Sequence, residues 1–403
     1  MNKIDENKVR EICALITERF ENIHIRCFSG FSSPLFLISD AYPGVWLEHV
    51  YDSVFYAKMF PEKVFVAEST IDTFIANQKP NGQLPCYIID PARISPDIQL
   101  LGYSQIQECV SFPALAYETV CMSSRKDRLR KVYESSVKWN NWLQDHRMTS
   151  RRGLIEMFVG YDTGHDNSGR LNGLSHRGGY CADAGILPPD DENLPILAVD
   201  MNCNFYAAKI ALSKMAKALG LKEEAAKYRS EANEVKEKIF QYCYDKDENF
   251  FFDVDRSGNK RKYFSSSVIH LFLEGVLEPR DAFTERLYAQ HIKNPNEFWT
   301  PFPIPSMAVN DPSTADHQDR NCWGYFSQGL IALRCTRWMD RYGKSDDLDH
   351  ICEKWLEAWT EHFDMVKLGQ ELDPFTGIPS PSSEWYSSTM LFYLYSAKRF
   401  GIV

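Results

Sequence analysis

The chain has 403 residues, 44% hydrophobic and 25% charged, with a formal net charge of -10. That length and apolar content support one large core or two medium ones and exclude a fibre or a disordered coil. Net acidity without a long basic run argues against nucleic acid as a partner, and the lack of an apolar run of about 18 residues argues against a membrane span.

The opening residues, MNKIDENKVREICALITERF, mix acids with bases and do not read as a secretory leader, so a soluble, cytoplasmic protein is expected. Apolar residues recurring at helical spacing predict helices over 5–21, 46–59, 62–78, 103–122, 127–146, 196–219, 222–242, 265–274, 280–291, 322–342, 347–363 and 384–399. In 222–242, Ala225, Ala232, Val235 and Ile239 share one face, while Lys222, Glu223, Lys227, Glu231 and Lys238 keep the rest wet. Its neighbour, 196–219, is far more apolar, as suits a helix covered on both sides. Alternating drier and wetter helices suggest an inner ring inside an outer one, an all-α (α/α)6 toroid. Period counting alone leaves stacked bundles or an irregular solenoid open.

The run FFFDVD, Phe250 to Asp255, lies between two turn segments and predicts a small β-hairpin. The preceding Asp245, Asp247 and Asn249 resemble the start of a calcium loop. Phe250 stands where that loop needs Gly, and no Glu closes it, so no metal is expected. Eleven cysteines occur singly, with no Cys-x-x-Cys, which fits reduced buried thiols better than zinc or a disulfide frame. No cofactor is called for.

Long irregular stretches remain at 80–102, 148–194 and 292–320, and loops of that length are usually functional. Two segments, GHDNSGR (Gly164 to Arg170) and QELDPFTG (Gln370 to Gly377), each set one carboxylate in a polar turn. Glycosidic hydrolysis needs two such groups on opposite sides of one pocket: one protonates the leaving oxygen, and the other activates water or attacks the sugar. Asp166 and Glu371 are the candidate pair. Each string also reads as an ordinary Asx or proline turn. The nine Trp, 20 Tyr and 25 Phe suit sugar faces, although core packing accounts for most of them.

The order of motifs decides between these readings. YDSVF (Tyr51 to Phe55), QKPNGQLP (78–85), Ser104 with Gln105, GHDNSGR, VDMNCNFYAAKIALSKMAKALG (199–220), FWTPFPIPSM (298–307), RNCW (320–323), ELDPFTG and YSSTMLFYLY (386–395) follow one another along the chain. Together they resemble the inverting α-glycosidases of glycoside hydrolase families 63 and 37, the processing α-glucosidase, mannosylglycerate hydrolase and trehalase group. The resemblance spans nearly the whole chain and implies one (α/α)6 catalytic domain over 1–403, with both carboxylates on loops at one mouth. It implies Asp166 as general acid, Glu371 as general base, and inverting cleavage of an α-linked glucoside or mannoside in a small soluble glycoside or oligosaccharide.

Substrate contacts are expected from Tyr51, Asp52, Gln105, His165, Arg170, Asp200, Asn202, Trp299, Arg320, Trp323 and Tyr386. Each has a plainer reading: Arg170 as a loop-anchoring ion pair, Asp52 as a surface acid, Asp200 and Asn202 as braces or caps, His165 as a satisfied histidine, and the rings as packing. Glu384, beside Trp385 and Tyr386, is the second choice of base. One rival is a sugar epimerase or isomerase on the same barrel, using His165, His176, His291 or His317. Another is a non-catalytic carbohydrate-binding relative, in which the departures at Tyr51, Ile106, Gln107 and Asn321 mark decay. A small carbohydrate is the expected partner, and oligomeric state is not legible.

Overall fold

A computed structural model describes residues 4–96, 98–123, 125, 127–175, 183–316, 323–381 and 383–403. Twelve α-helices follow in chain order: α1 (Glu6–Arg19), α2 (Val50–Met59), α3 (Val64–Ala76), α4 (Phe112–Met122), α5 (Arg128–His146), α6 (Val199–Ala218), α7 (Lys222–Cys243), α8 (Ile269–Leu273), α9 (Ala282–Leu287), α10 (Gly329–Cys335), α11 (Ser345–Glu361) and α12 (Ser387–Arg399). Each matches one predicted span, α7 running one residue past the end of its span and α11 starting two residues before its own.

Burial sorts them into two rings. Fifteen of the 20 residues of α6 are buried, against five of the 22 of α7, whose dry stripe is Tyr228, Ala232, Val235, Ile239 and Cys243. A helix buried all round must have neighbours on every side, whereas one buried stripe needs a single supporting layer. Accordingly α2 packs on α4, α4 on α6, α6 on α8, α10 on α12, and α12 on α2. Contact between α8 and α10 comes from the side chains of His270 and Arg334, 3.2 Å apart. The remaining helices return the chain outside, as α3 does against α2, α5 against α4 and α7 against α6. This is the expected all-α (α/α)6 barrel.

Several predicted helices are shorter than their spans, 103–122 and 322–342 among them. In 103–122 the helix starts only at Phe112, with Pro113 in its first turn, where a missing N–H costs nothing. The residues before it are held out of the helix, the Ile106 N–H by Asp162 Oδ1 at 2.8 Å and the Glu108 N–H by the Asp162 carbonyl at 3.0 Å. In 322–342 only Gly329–Cys335 is α-helical. A Cβ at Gly329 would lie 2.1 Å from Thr389 Oγ1, so glycine is what lets α10 approach α12.

The predicted hairpin is two hairpins. Tyr244–Asp245 pairs with Phe250–Phe251, and Asp253–Val254 with Lys260–Arg261. Asp245 Oδ1 accepts from the N–H groups of Asp247 and Glu248, so the calcium-like spacing serves as an Asx turn. A three-stranded sheet was not anticipated. Its strands are Gly44–Trp46, Tyr87–Ile89 and Leu101–Gly102, with Trp46 opposite Tyr87. It sits just before α2 and fixes where that helix begins.

Candidate active site

An inner ring of helices joined through outer returns places the inner N-termini at one mouth, and there the segments leading into them form a cavity of about 200 Å³. Tyr42, Trp46, Glu48 and His49 come from the approach to α2, and Gln105 and Gln107 from the approach to α4. Tyr161, Gly164 and Asp166 lie in the long loop before α6, Trp323 precedes α10, and Gln370 and Tyr386 precede α12.

The acid-bearing loop is anchored from below. Arg147, fully buried at the end of α5, donates to both oxygens of Asp162 at 2.6 and 3.3 Å, and to the carbonyls of Ala184 and Glu156. Asp162 also accepts from the N–H groups of Ile106, Phe158 and Val159, which ties the approach to α4 to the acid loop. The chain then turns at Gly164, whose φ of +70° suits glycine. A Cβ there would lie 3.0 Å from Glu48 Oε2 and 3.2 Å from Cys109 Sγ. Asp166 follows, half-buried at the cavity wall, and burial pushes its carboxyl up to about 7.

Glu371 occupies a two-residue strand, Glu371–Leu372, paired antiparallel with Ser327–Gln328. Its carboxyl group is fully buried, and the preceding residue, Gln370, lines the cavity. Oε1 accepts from Gln328 Nε2 at 2.7 Å and from the Trp323 N–H at 3.1 Å, and Oε2 faces the Ser380 hydroxyl at 3.4 Å. Donors converging on both oxygens suit an acceptor-only carboxylate. The rest of its motif is indeed a turn: Asp373 Oδ1 accepts from the N–H groups of Phe375 and Thr376. Glu384, the second choice, is exposed and accepts from the Lys367 N–H.

Over residues 63–323, the chain matches the mannosylglycerate hydrolase MGH1-like glycoside hydrolase domain. The chain belongs to this family. It is a glycoside hydrolase, and the match includes Asp166, while Glu371 lies beyond its end. Among solved structures, the GH63 mannosylglycerate hydrolase from Thermus thermophilus in complex with Tris superimposes with a TM-score of 0.73 at 15% identity, over 96% of this chain and 99% of that one. The same enzyme in complex with glucose gives 0.73 at 15% identity, over 95% and 99%. Neutral trehalase Nth1 from Saccharomyces cerevisiae gives 0.67 at 12%, over 96% of this chain and 79% of the other. An uncharacterized protein of Borreliella burgdorferi is 22% identical over 255 residues, which are 62% of this chain and 47% of that protein. The chain thus spans about half the length of the curated relative it matches. Among the described residues no helix is long and apolar enough to cross a membrane, and no group of three or more His, Cys, Asp or Glu side chains is arranged to hold a metal.

In this MGH1-like hydrolase, the expected contact residues Gln105, Trp323 and Tyr386 line the cavity with Asp166. His165 lies beside it, its ring stacked on Trp323 at 4.0 Å between centroids, and burial with the nearby Arg170 keeps it neutral. Several expected contacts are placed elsewhere. Asp52 is buried in the barrel, accepting from the hydroxyls of Ser387 and Ser388. It is therefore neither a surface acid nor a cavity-lining group. Tyr51 lies beneath the site, its ring 5.7 Å from the Arg334 guanidinium and 5.2 Å from that of Arg337. Arg170 is the anchoring ion pair, donating to both oxygens of Asp200 at 2.8 and 3.0 Å. Asn202 exchanges hydrogen bonds with the backbone of Ile155, which braces the start of the acid loop. Trp299 packs against His350 and Lys293, so it is a packing ring and does not line the cavity. Arg320, His176, His317 and Asn321 lie outside the described residues. His291 has both ring nitrogens engaged, by Glu297 and the Glu248 carbonyl.

Sequence reasoning missed Tyr42, Trp46, Glu48, His49, Gln107, Tyr161 and Gln370. The usable signal was in WLEH (Trp46 to His49), an acid and a histidine beside a tryptophan at the head of an otherwise apolar helix. The Trp46 N–H donates to His49 Nδ1 at 3.2 Å, which leaves the proton of a neutral His49 on Nε2. Burial holds this imidazole down to about 3, so it stays neutral.

Proposed function

We propose that the protein hydrolyses an α-linked glucoside or mannoside, in a small soluble glycoside or oligosaccharide, with inversion at the anomeric carbon. The observation that supports this reading is Asp166, raised to about 7 on the wall of a ring-lined cavity, with the donor-held Glu371 bonded to the N–H of Trp323, which lines the same cavity. A carboxyl group with that value still holds its proton near neutrality and can give it to the glycosidic oxygen as the C–O bond breaks. Glu371 takes a proton from a water attacking the opposite face of the sugar. Inversion needs room for that water, a carboxyl separation of roughly 6.5–9.5 Å. The structural relatives, a mannosylglycerate hydrolase crystallised with glucose and a trehalase, favour glucose or mannose at the cleaved end.

The departures from the family pattern support an intact site. The Ile106 N–H is used by Asp162, a bond proline could not make, and Gln107 Oε1 accepts the Glu48 N–H at 3.3 Å. A panel of α-glucosides and α-mannosides followed by proton NMR tests the reading: the β-sugar must be the first product seen, before mutarotation. Glu371→Gln should abolish its release, with partial recovery in azide. An α-sugar as first product would overturn the inverting mechanism, and an epimerised but uncleaved glycoside would favour the isomerase rival.

A further inference from the structure

We propose that a second, smaller cavity beneath the mouth is a binding site for one halide ion, held by Arg334, Arg337, Tyr51 and Ser111 at the N-terminus of α4.

This cavity measures about 30 Å³, room for about two waters or a single chloride. Tyr51, Ser111, Ala114, Glu274, Arg334 and Arg337 are in its wall. Four of them carry a buried polar atom with no hydrogen-bond partner within the protein: the Tyr51 hydroxyl, the Ser111 hydroxyl, Arg334 Nε and Arg337 Nη1. All four can donate, and the two guanidinium nitrogens can do nothing else. A buried donor left unpaired is costly, so four around one small cavity call for a shared acceptor.

The rest of each side chain is committed elsewhere. Arg334 gives Nη1 to His270 Nε2 at 3.2 Å, and Nη2 to Glu48 Oε1 and the Cys109 carbonyl at 3.3 and 3.2 Å, which leaves Nε. Since Glu48 lines the larger cavity, Arg334 also joins the two. Arg337 gives Nη2 to Glu118. Tyr51 lays its ring against both guanidiniums, and burial raises its hydroxyl so that the proton stays on. Ser111 is the N-cap residue of α4, yet its side chain makes no capping bond.

Charge favours an anion over water. Arg337 and Lys58 share one carboxylate, Glu118, so two cations have a single counter-charge between them. The first turn of α4 adds the positive end of an 11-residue helix and N–H groups without helical partners. Glu274 is the one carboxyl group on the wall, and the Cys109 thiol, raised by burial, keeps its proton. Burial, opposed by Arg337, Arg334 and Arg341 and assisted by Glu118, raises Glu274 to about 7. Below that pH it is uncharged and has a proton to donate, so halide binding should tighten as pH falls.

The test compares melting in sodium chloride and in sodium gluconate at equal ionic strength, gluconate being too large for the cavity. A chloride titration should raise the melting temperature by about 1–2 °C over gluconate, and by more at about pH 6 than at about pH 8. Equal melting in the two salts would overturn the proposal. The same difference at both pH values would overturn the part given to Glu274.

Ser111→Asp tests the location, because it brings a tethered carboxylate to the same donors. Its chloride response should disappear, and this is the deciding reading, since aspartate at an N-cap can stabilise a helix by itself. A retained response would place the ion elsewhere and overturn the site. Crystals of the unaltered protein grown in sodium bromide do not depend on that variant folding. Anomalous scattering should show one bromide within hydrogen-bond distance of Arg334 Nε and Arg337 Nη1, and its absence would overturn the proposal. Bromide there without a chloride effect on melting would be binding at crystal concentration only, and would overturn a site filled in solution.

Discussion

Trp323 donates its backbone N–H to Glu371 Oε1 at 3.1 Å from a backbone φ of +74°, while its indole stacks on His165 next to Asp166. A bulky side chain in the left-handed region costs on the order of 1–3 kcal/mol, and such strain persists where surrounding contacts determine it. Here those contacts reach the segments of both candidate carboxylates, so one residue holds Glu371 and flanks Asp166.

Replacing Trp323 by glycine separates these tasks. Glycine holds a positive φ without cost and keeps the N–H for Glu371, so kcat should change little. Loss of the ring from the cavity wall should raise KM roughly tenfold, equivalent to about 1.4 kcal/mol. Trp323→Ala cannot hold that backbone as easily and should lower kcat as well, which steady-state kinetics on the two variants would show.

Asp166→Asn should leave the fold and substrate binding intact and lower turnover of an unactivated disaccharide by about 10²–10⁴-fold, because only the proton donor is lost. An aryl glycoside whose leaving group needs no proton should recover much of the rate. Parallel kcat measurements on the two substrates, with circular dichroism to check folding, decide this.

With Asp166 as the proposed acid, raised to about 7, kcat/KM of the wild type should fall as pH rises through about 7. The same shift has a stability sign. A carboxyl group raised from its ordinary 3.8 favours folding while protonated, and that contribution is lost between about pH 4 and pH 7. The melting temperature of Asp166→Asn relative to wild type should therefore climb across this window and level off above it.

Arg147→Met leaves the buried Asp162 without its cation and cuts the tie between the acid loop and α5. Breaking a buried pair from one side costs about 3–5 kcal/mol. The urea midpoint should fall accordingly. Activity should fall too, even though Arg147 does not line the cavity, since Asp162 fixes the loop that presents Asp166.

The helices were legible because the 3.6-residue period survives even where a helix is covered on all sides, as in α6. Boundaries failed where side chains outbid the period. Asp162 holds the residues before Phe112 in an irregular loop, and strand pairing with Glu371 takes Ser327 and Gln328 out of the predicted tenth helix. The three-stranded sheet left no trace, since strands of two or three residues are too short to show alternation. Asp166 and Glu371 became candidates through the order of motifs along the chain, since each segment alone reads equally as an ordinary turn. Glu48 could not be singled out, because its partner Arg334 lies 286 positions away.

The hydroxyls of Ser387 and Ser388 are bonded to Asp52 within the barrel, so the first inner helix is completed by the last. Synthesis delivers these partners at opposite times: Asp52 leaves the ribosome early, and its donors more than three hundred residues later. Until then the ring is an open arc, with a polar group facing an apolar interior and the flank of α2 uncovered. Folding of such long-range closure is intrinsically slow and exposes apolar surface meanwhile. A nascent chain stalled before Ser387 should accordingly engage holding chaperones and resist acquiring protease protection, even though eleven of the twelve helices have been made.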